Sequence, residues 1–361
     1  MGHAAMTMDS LLRLAAERDA TDLHLTVGLA PHLRIHSRLT ELDSGPLTAA
    51  GMRELTYGLL TPEQIEEFER ERELDFALSI EHVARFRVNL FYDRGEVGMA
   101  ARRLPLRILS LEELGLPVDV MSSLCRKPKG LVLVTGSTGS GKTTTLASMV
   151  EHINTTREAH VVTIEDPIEY LYTSRQALIN QREVGRDTRT FGRALKYVLR
   201  QDPDVILIGE MRDLETIEAA LSIAETGHLV LATLHTSDVV QTVNRIVDVF
   251  PSNQQNQVRM QLSLELVAVV SQQLVPRASG VGRVLAAEIL VATHAVRSLI
   301  REQRLHQLYT VIQTGQREGM RTMNQALKAL YEERAITLEE ALARSSDPAE
   351  LERMLTERAS R

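Results

Sequence analysis

The stretch GSTGSGKTTT, residues 136–145, constrains the fold more than any other part of the chain. The apolar run Leu131, Val132, Leu133, Val134 precedes it and the helix-compatible run TTLASMVEHIN follows. Strand, glycine-rich loop and helix therefore stand in the order of a phosphate-binding P-loop. Gly136, Gly139 and Gly141 allow the backbone to curl with its amide N–H groups inward, and these amides, with the helix N-terminus, bind anionic phosphates. Ser137, Thr138, Ser140 and Thr144 complete the set of nucleotide-binding candidates in the loop. Lys142 is expected to reach the β- and γ-phosphates and Thr143 to ligand Mg²⁺. A plain turn between strand and helix leaves the complete G-x-x-x-x-G-K-T unexplained, so the pattern predicts binding of ATP or GTP.

A length of 361 residues suggests roughly two to three domains. The 43% of hydrophobic residues suffices for ordinary buried cores. No run approaches the roughly 18 apolar residues that span a bilayer, and MGHAAMTMDSLLRLAAERDA carries charges where a signal peptide places its apolar segment. The expected location is the cytosol. The single cysteine, Cys125, excludes an internal disulfide and any cysteine-cluster zinc site, leaving a small packing residue or an exposed bystander. A net charge of −7 with scattered Lys and Arg argues against broad capture of nucleic acid, though a local basic groove in an oligomer is compatible with it.

The chain changes character near residues 105–130, where Pro105, Pro117, Pro128 and Gly130 punctuate it. Before that point, the alternating stretches HLRIHSRL and ARFRVNLFYD flank a helical run, TPEQIEEFERE, which reads as a small α+β domain. After it, apolar strands at Leu131 to Thr135, Val161 to Ile164, Val205 to Ile208 and Leu229 to Leu234 alternate with helices, around Phe191 to Leu199 and through Glu215 to Glu225 among them. Such alternation predicts a parallel sheet covered by helices. From about Thr293 onward the pattern is almost entirely helical, ending in DPAELERMLTERA, where Asp347 can cap and Pro348 opens a helix.

Acids that hold Mg²⁺ and orient an attacking water are sought at the carboxyl ends of strands neighbouring a P-loop. TIEDPIEY places Glu165, Asp166 and Glu169 after the strand ending at Ile164, as a solvated turn or as part of a site. DVILIGEMRD is sharper: its apolar strand ends in Gly209 and Glu210, and Glu210 is the candidate to polarise the attacking water. Glu169 and the other acids after Ile164 then take part of the metal-ordering role. Arg212 in the same run joins the nucleotide-binding candidates. His228 and His235 flank the apolar strand of TGHLVLATLHT seven positions apart, an odd separation that points them to opposite faces. This disfavours a two-histidine metal site. Both are catalytic candidates, with phosphate sensing at one end and a neighbouring element at the other, beside a structural reading of each. In ARFRVNLFYDRG, Phe86, Val88 and Leu90 face one way and Arg85, Arg87 and Asn89 the other, followed by Arg94, Arg102 and Arg103. On pattern alone this is a solvated face, or a set of guanidinium groups offered to an anion.

Together these motifs resemble the secretion-superfamily ATPases, and within them the PilT-type motors that retract type IV pili. The resemblance runs over nearly the whole chain. It is carried by ATDLHLTVGLAPHLRI, RFRVNLFYDRG, the P-loop, TIEDPIEY, NQREVGRDTRTF, RQDPDVILIGEMRD, ETGHLVLATLHT and NRIVDVFP. HAVRSLIRE, residues 294–302, is similar to the AIRNLIRE signature of retraction ATPases, with Val296 for Ile and Ser298 for Asn. On helical spacing Val296, Leu299 and Ile300 are expected to be buried while Arg297 and Arg301 share a charged face. Assembly ATPases of the superfamily are longer and carry a tetracysteine zinc motif that one cysteine cannot supply. Two departures stand out: His36 and Ser37 replace the family's aspartate-glycine turn, and the stretch from about Thr337 has no close counterpart.

The resemblance implies an α/β fold: a RecA-like P-loop NTPase domain (residues 130–292) with a smaller PAS-like N-terminal α+β domain (1–107), a linker (108–129) and a helical C-terminal region (293–361). It further implies a homohexamer that hydrolyses ATP with Mg²⁺, the cytoplasmic partner of an inner-membrane pilus platform protein and of other pilus ATPases. Arg87, Arg94 and Arg102 are then expected to close over the nucleotide. The alternatives are an accessory retraction motor of the PilU type, a pilus or secretion assembly ATPase and, more distantly, a RecA-like nucleic-acid motor. A non-hydrolysing nucleotide binder is disfavoured by Lys142 and Glu210.

Overall fold

The computed structural model describes residues 6–35, 38–81, 83–105 and 107–356. The departure at His36 and Ser37 lies outside the described residues. The chain divides into two units, Met1–Arg107 with Pro167–Leu171, and Ile108–Asp166 with Tyr172–Arg361.

The first unit is built on six strands, β1 (Asp22–Leu25), β2 (His32–Ile35), β3 (Arg38–Glu41), β4 (Glu73–Ile80), β5 (Ala84–Asp93) and β6 (Glu96–Leu104). They form a sheet in the order β3-β2-β1-β6-β5-β4, antiparallel throughout. The alternation of ARFRVNLFYD does what a period of two requires: Phe86, Val88 and Leu90 are fully buried. The opposite row is less open than expected. Arg87 and Asn89 are half-buried, and Arg85 is buried, its backbone in register between Ser79 of β4 and Leu104 of β6. Arg94 and Gly95 join β5 to β6 with φ of 51° and 86°, the left-handed pair of a two-residue hairpin turn. The helix Pro62–Glu71 starts as its sequence dictates, with Thr61 and Gln64 forming a capping box and Pro62 at the first position.

The second unit holds β7 (Gly130–Thr135), β8 (His160–Glu165), β9 (Leu178–Glu183), β10 (Val205–Ile208), β11 (Leu229–Leu234), β12 (Leu266–Pro276) and β13 (Arg283–Val291). The sheet order is β13-β12-β7-β11-β10-β8-β9, parallel except for the antiparallel edge strand β13. Every residue of β7, β10 and β11 is buried, as a sheet covered by helices on both faces demands. Residues 108–129 carry the helix Val118–Cys125 and send Leu111, Leu116, Met121 and Leu124 into a core beside this sheet. Cys125 is fully buried there with its thiol against the Met149 carbonyl, and burial pushes that thiol up to about 12. Among the described residues no helix is long and apolar enough to cross a membrane.

Beyond β13 the helices are His294–Arg301, Leu308–Thr314, Met323–Glu332, Leu338–Arg344 and Pro348–Thr356. Asp347 accepts the Glu350 N–H at 3.0 Å and caps the last of them. Val296 and Ile300 are fully buried and Leu299 packs against the same core. The expected charged face is only half present. Arg301 is exposed, but Arg297 is half-buried, donating to the carbonyls of Ser263 (2.8 Å), Ala292 (3.2 Å) and Leu264. Two of these carbonyls close the helix Gln255–Glu265, whose free acceptors and negative dipole end attract a cation.

Candidate nucleotide site at the carboxyl ends of the parallel strands

β7 delivers the chain into the P-loop at Gly136, whose φ of 143° is open only to glycine. A Cβ there meets the Gln272 carbonyl oxygen at 2.3 Å and Ser140 Oγ at 2.5 Å. Gly141 then caps the helix Lys142–Thr156 in the left-handed conformation. The amides at that helix start have no partner within their own helix, the arrangement in which backbone N–H groups can cradle an anion. Ser137, Thr138 and Gly139 are exposed, Thr143 and Thr144 half-buried, and Lys142 buried.

Four predicted residues from three strand ends meet. Lys142 Nζ donates to the Gly136 and Ser137 carbonyls at 2.9 and 3.0 Å, and lies 3.3 Å from His235 Nδ1. His235, just after β11, presents Nε2 to Glu210 at 3.1 Å, and Arg212 bonds the other Glu210 oxygen at 2.8 Å. The contacts fit one imidazole tautomer, with Nδ1 accepting from the ammonium and Nε2–H donating to the carboxylate. Burial by itself raises the Glu210 carboxyl, but the hydrogen bonds from Arg212 and His235 and the Arg212 charge outweigh it, and the group titrates below its ordinary value. Its stabilisation is therefore present above the unfolded carboxyl's value and is lost only as pH falls through the lowered one. The stability difference between wild type and Glu210→Gln should not shrink from pH 8 to about 5.5, and should fall away below about 4.3. Thermal unfolding across that range checks this, and a difference that vanishes near pH 6 contradicts it.

The remaining candidates fall in three places. Glu165 belongs to β8 itself rather than to the turn after it, and is buried, accepting from Thr163 Oγ1 at 2.7 Å. Asp166 is exposed and its charge is felt by Arg212. Thr143, Glu165 and Asp166 together offer hard oxygen donors of the kind Mg²⁺ takes. Among the described residues no cluster of three His, Cys, Asp or Glu forms a metal site. His228 stands at the amino end of β11, opposite to His235, with Nδ1 3.2 Å from the Ile223 carbonyl and 3.1 Å from Thr226 Oγ1. The structure does not bring it to the Lys142 group and gives it a helix-end contact instead. Glu169 lies in the segment grouped with the first unit. So do Arg87, Arg94 and Arg102, which face Asp75 (3.8 Å), Asp93 (3.6 Å) and Asp22 (2.9 Å) of that unit.

Sequence reading missed the residues that brace the loop. Gln272 of β12, fully enclosed, donates to the Ser140 carbonyl at 2.8 Å and accepts from Thr145 Oγ1 at 3.0 Å. The signal was the polar SQQ interrupting an apolar strand. A cavity of about 520 Å³ opens beside Gly141 and Thr144, walled by Leu274, Arg277, Arg283 and Leu330, a volume in the usual range for small-ligand sites. A second, of about 360 Å³, lies in front of Glu210 and His235 with Arg245 on its wall.

A family model described as Type II/IV secretion system protein matches residues 74–343. The type IV pilus retraction ATPase PilT of Pseudomonas aeruginosa is 46% identical over 343 residues, covering 95% of this chain and 99% of the relative. The type IV pilus ATPase PilU of the same organism is 42% identical, covering 97% and 91%. The crystal structure of the pilus retraction motor PilT with bound ADP superposes with a TM-score of 0.90 at 48% identity, covering 97% of this chain and all of that one.

Proposed function

Because the chain belongs to the type II/IV secretion system protein family, we propose that it is a hexameric ATPase motor that retracts type IV pili. The observation that carries the enzymatic half is the Lys142, His235, Glu210 and Arg212 chain at the P-loop. The retraction half is supported by end-to-end likeness to a protein named for that activity. The loop amides and Lys142 hold the phosphates, and the base enters the cavity beside Gly141 and Thr144. Glu210 accepts hydrogen bonds from the attacking water and orients it, while His235 joins that carboxylate to the lysine so that loss of the γ-phosphate is felt at the end of β11. Thr143, with Glu165 and Asp166 acting through water, would hold a Mg²⁺ ion, which would supply neutralisation of the phosphate charge. Arg87, Arg94 and Arg102 add guanidinium forks as the ring closes. The motor works in the cytoplasm against an inner-membrane platform protein.

Deletion of the gene with complementation separates the readings. Hyperpiliated cells that do not twitch, restored by the wild-type gene, are expected for a retraction motor. Bald cells point to assembly. The likeness to PilU favours an accessory role as second reading, which predicts that purified rings hydrolyse ATP while restoration in cells needs another pilus ATPase. ATP turnover stimulated by DNA or RNA would contradict the pilus assignment.

A further inference from the structure

Glu288 is the only acid of β13, RVLAAEILV, and it is almost wholly buried. It lies directly across the β12–β13 ladder from Ser271, and cross-strand partners share a face of the sheet. Both side chains bond the segment that follows His235. Ser271 Oγ donates to the Ser237 carbonyl at 2.9 Å, and Glu288 Oε1 accepts the Val239 N–H at 3.1 Å. Val239 opens the helix Val239–Asp248. The backbone N–H of Met323, which opens the helix Met323–Glu332 of the C-terminal region, also faces this carboxyl and draws it slightly downward. The start of the C-terminal helices is held beside Glu288 by a short strand-like pairing, in which Ile289 and Arg321 exchange N–H···O bonds at 2.8 and 3.1 Å along the outer edge of β13. Burial and the nearby Asp238 push the carboxyl above its ordinary value, a cost that a residue serving only to pack avoids.

We propose that Glu288, with Ser271 beside it, is a positioning element for hydrolysis: it fixes the His235 loop and ties it to the start of the C-terminal helices, so that the nucleotide site and the helical region move as one. Resting on the ATPase reading above, this assigns to β13 a role in transmission rather than in holding the sheet edge alone. Gln272, the neighbour of Ser271 in β12, grips the P-loop. Adjacent residues of one strand thus hold the two halves of the phosphate site.

The test compares Glu288→Gln, Glu288→Ala and Ser271→Ala with Thr337→Ala, which removes a helix cap elsewhere in the C-terminal region. Hydrogen exchange by mass spectrometry is read on peptides covering residues 235–243 and 322–330, with kcat and KM for ATP measured on the same rings. In Glu288→Ala both peptides should lose about tenfold in protection together. In all three site variants kcat should fall while KM stays within about twofold, with Glu288→Gln closest to wild type because it keeps one acceptor. Thr337→Ala should leave kcat and both peptides unchanged. Deprotection of one peptide without the other, or unchanged kcat in folded Ser271→Ala and Glu288→Ala rings, overturns the proposal. A wild-type ring that hydrolyses no ATP overturns the ATPase reading instead, and the exchange data stand apart from it.

Discussion

Glu210→Gln should lower ATP turnover by about 10²- to 10⁴-fold while leaving nucleotide bound, the range seen when a positioned acid or base is removed. The glutamine keeps the shape of the side chain and can still accept from Arg212, now 2.8 Å from the carboxylate. Its amide then turns an N–H group toward His235 Nε2, where the carboxylate accepts at 3.1 Å. The loss falls on the orientation of the attacking water, which matters in the transition state rather than in binding. Lys142→Ala should behave differently, because Lys142 meets phosphate in the ground state and its removal leaves the Gly136 and Ser137 carbonyls without their cation. Both affinity and turnover should fall. Fluorescent-nucleotide titration with single-turnover hydrolysis separates the two, and near wild-type hydrolysis in Glu210→Gln removes that residue from the mechanism.

Arg297→Glu should destabilise the protein by about 3 kcal/mol, since hydrogen bonds from a charged donor contribute about 1.5–3 kcal/mol each and the reversed charge faces a helix C-terminus. The new carboxylate meets the carbonyl oxygens of Ser263, Leu264 and Ala292. Arg301→Glu, on the exposed side of the same helix, should change stability by no more than about 0.5 kcal/mol. It is therefore the variant that tests output. A folded, hydrolysing Arg301→Glu ring that no longer retracts pili assigns that arginine to a partner surface, and normal twitching removes it. Thermal denaturation of the two single variants checks the first claim, and equal melting temperatures refute it.

Much of the second unit was legible because its chemistry is written locally. The P-loop announces its strand and helix, and the strands at Val205–Ile208 and Leu229–Leu234 are short apolar runs with turn residues on both sides. β12 and β13 were not read. LVAVVSQQLVP and RVLAAEILV mix alanine and leucine with β-branched residues and carry no alternation, so periodicity cannot tell a buried strand from a buried helix there. Gln272, Ser271 and Glu288 went unseen with them. In the site, each residue of the Lys142, His235, Glu210 and Arg212 chain was named from its motif. Their joining was not legible, because Lys142 and His235 stand 93 positions apart and only strand order brings them together. Arg297 shows the opposite failure. Helical spacing placed it correctly on the wheel, yet spacing says nothing about the carbonyl ends of a neighbouring helix.

The buried Cys125 makes the motor unusually convenient to watch. Only a thiolate reacts quickly with maleimides, and a thiol with its value near 12, closed off from solvent, supplies almost none at neutral pH. A cysteine introduced at an exposed position such as Leu39 or Val281 therefore becomes the sole labelled site without prior removal of the native one. Pairs of fluorophores or spin labels placed this way report distances inside a ring built from otherwise unaltered subunits.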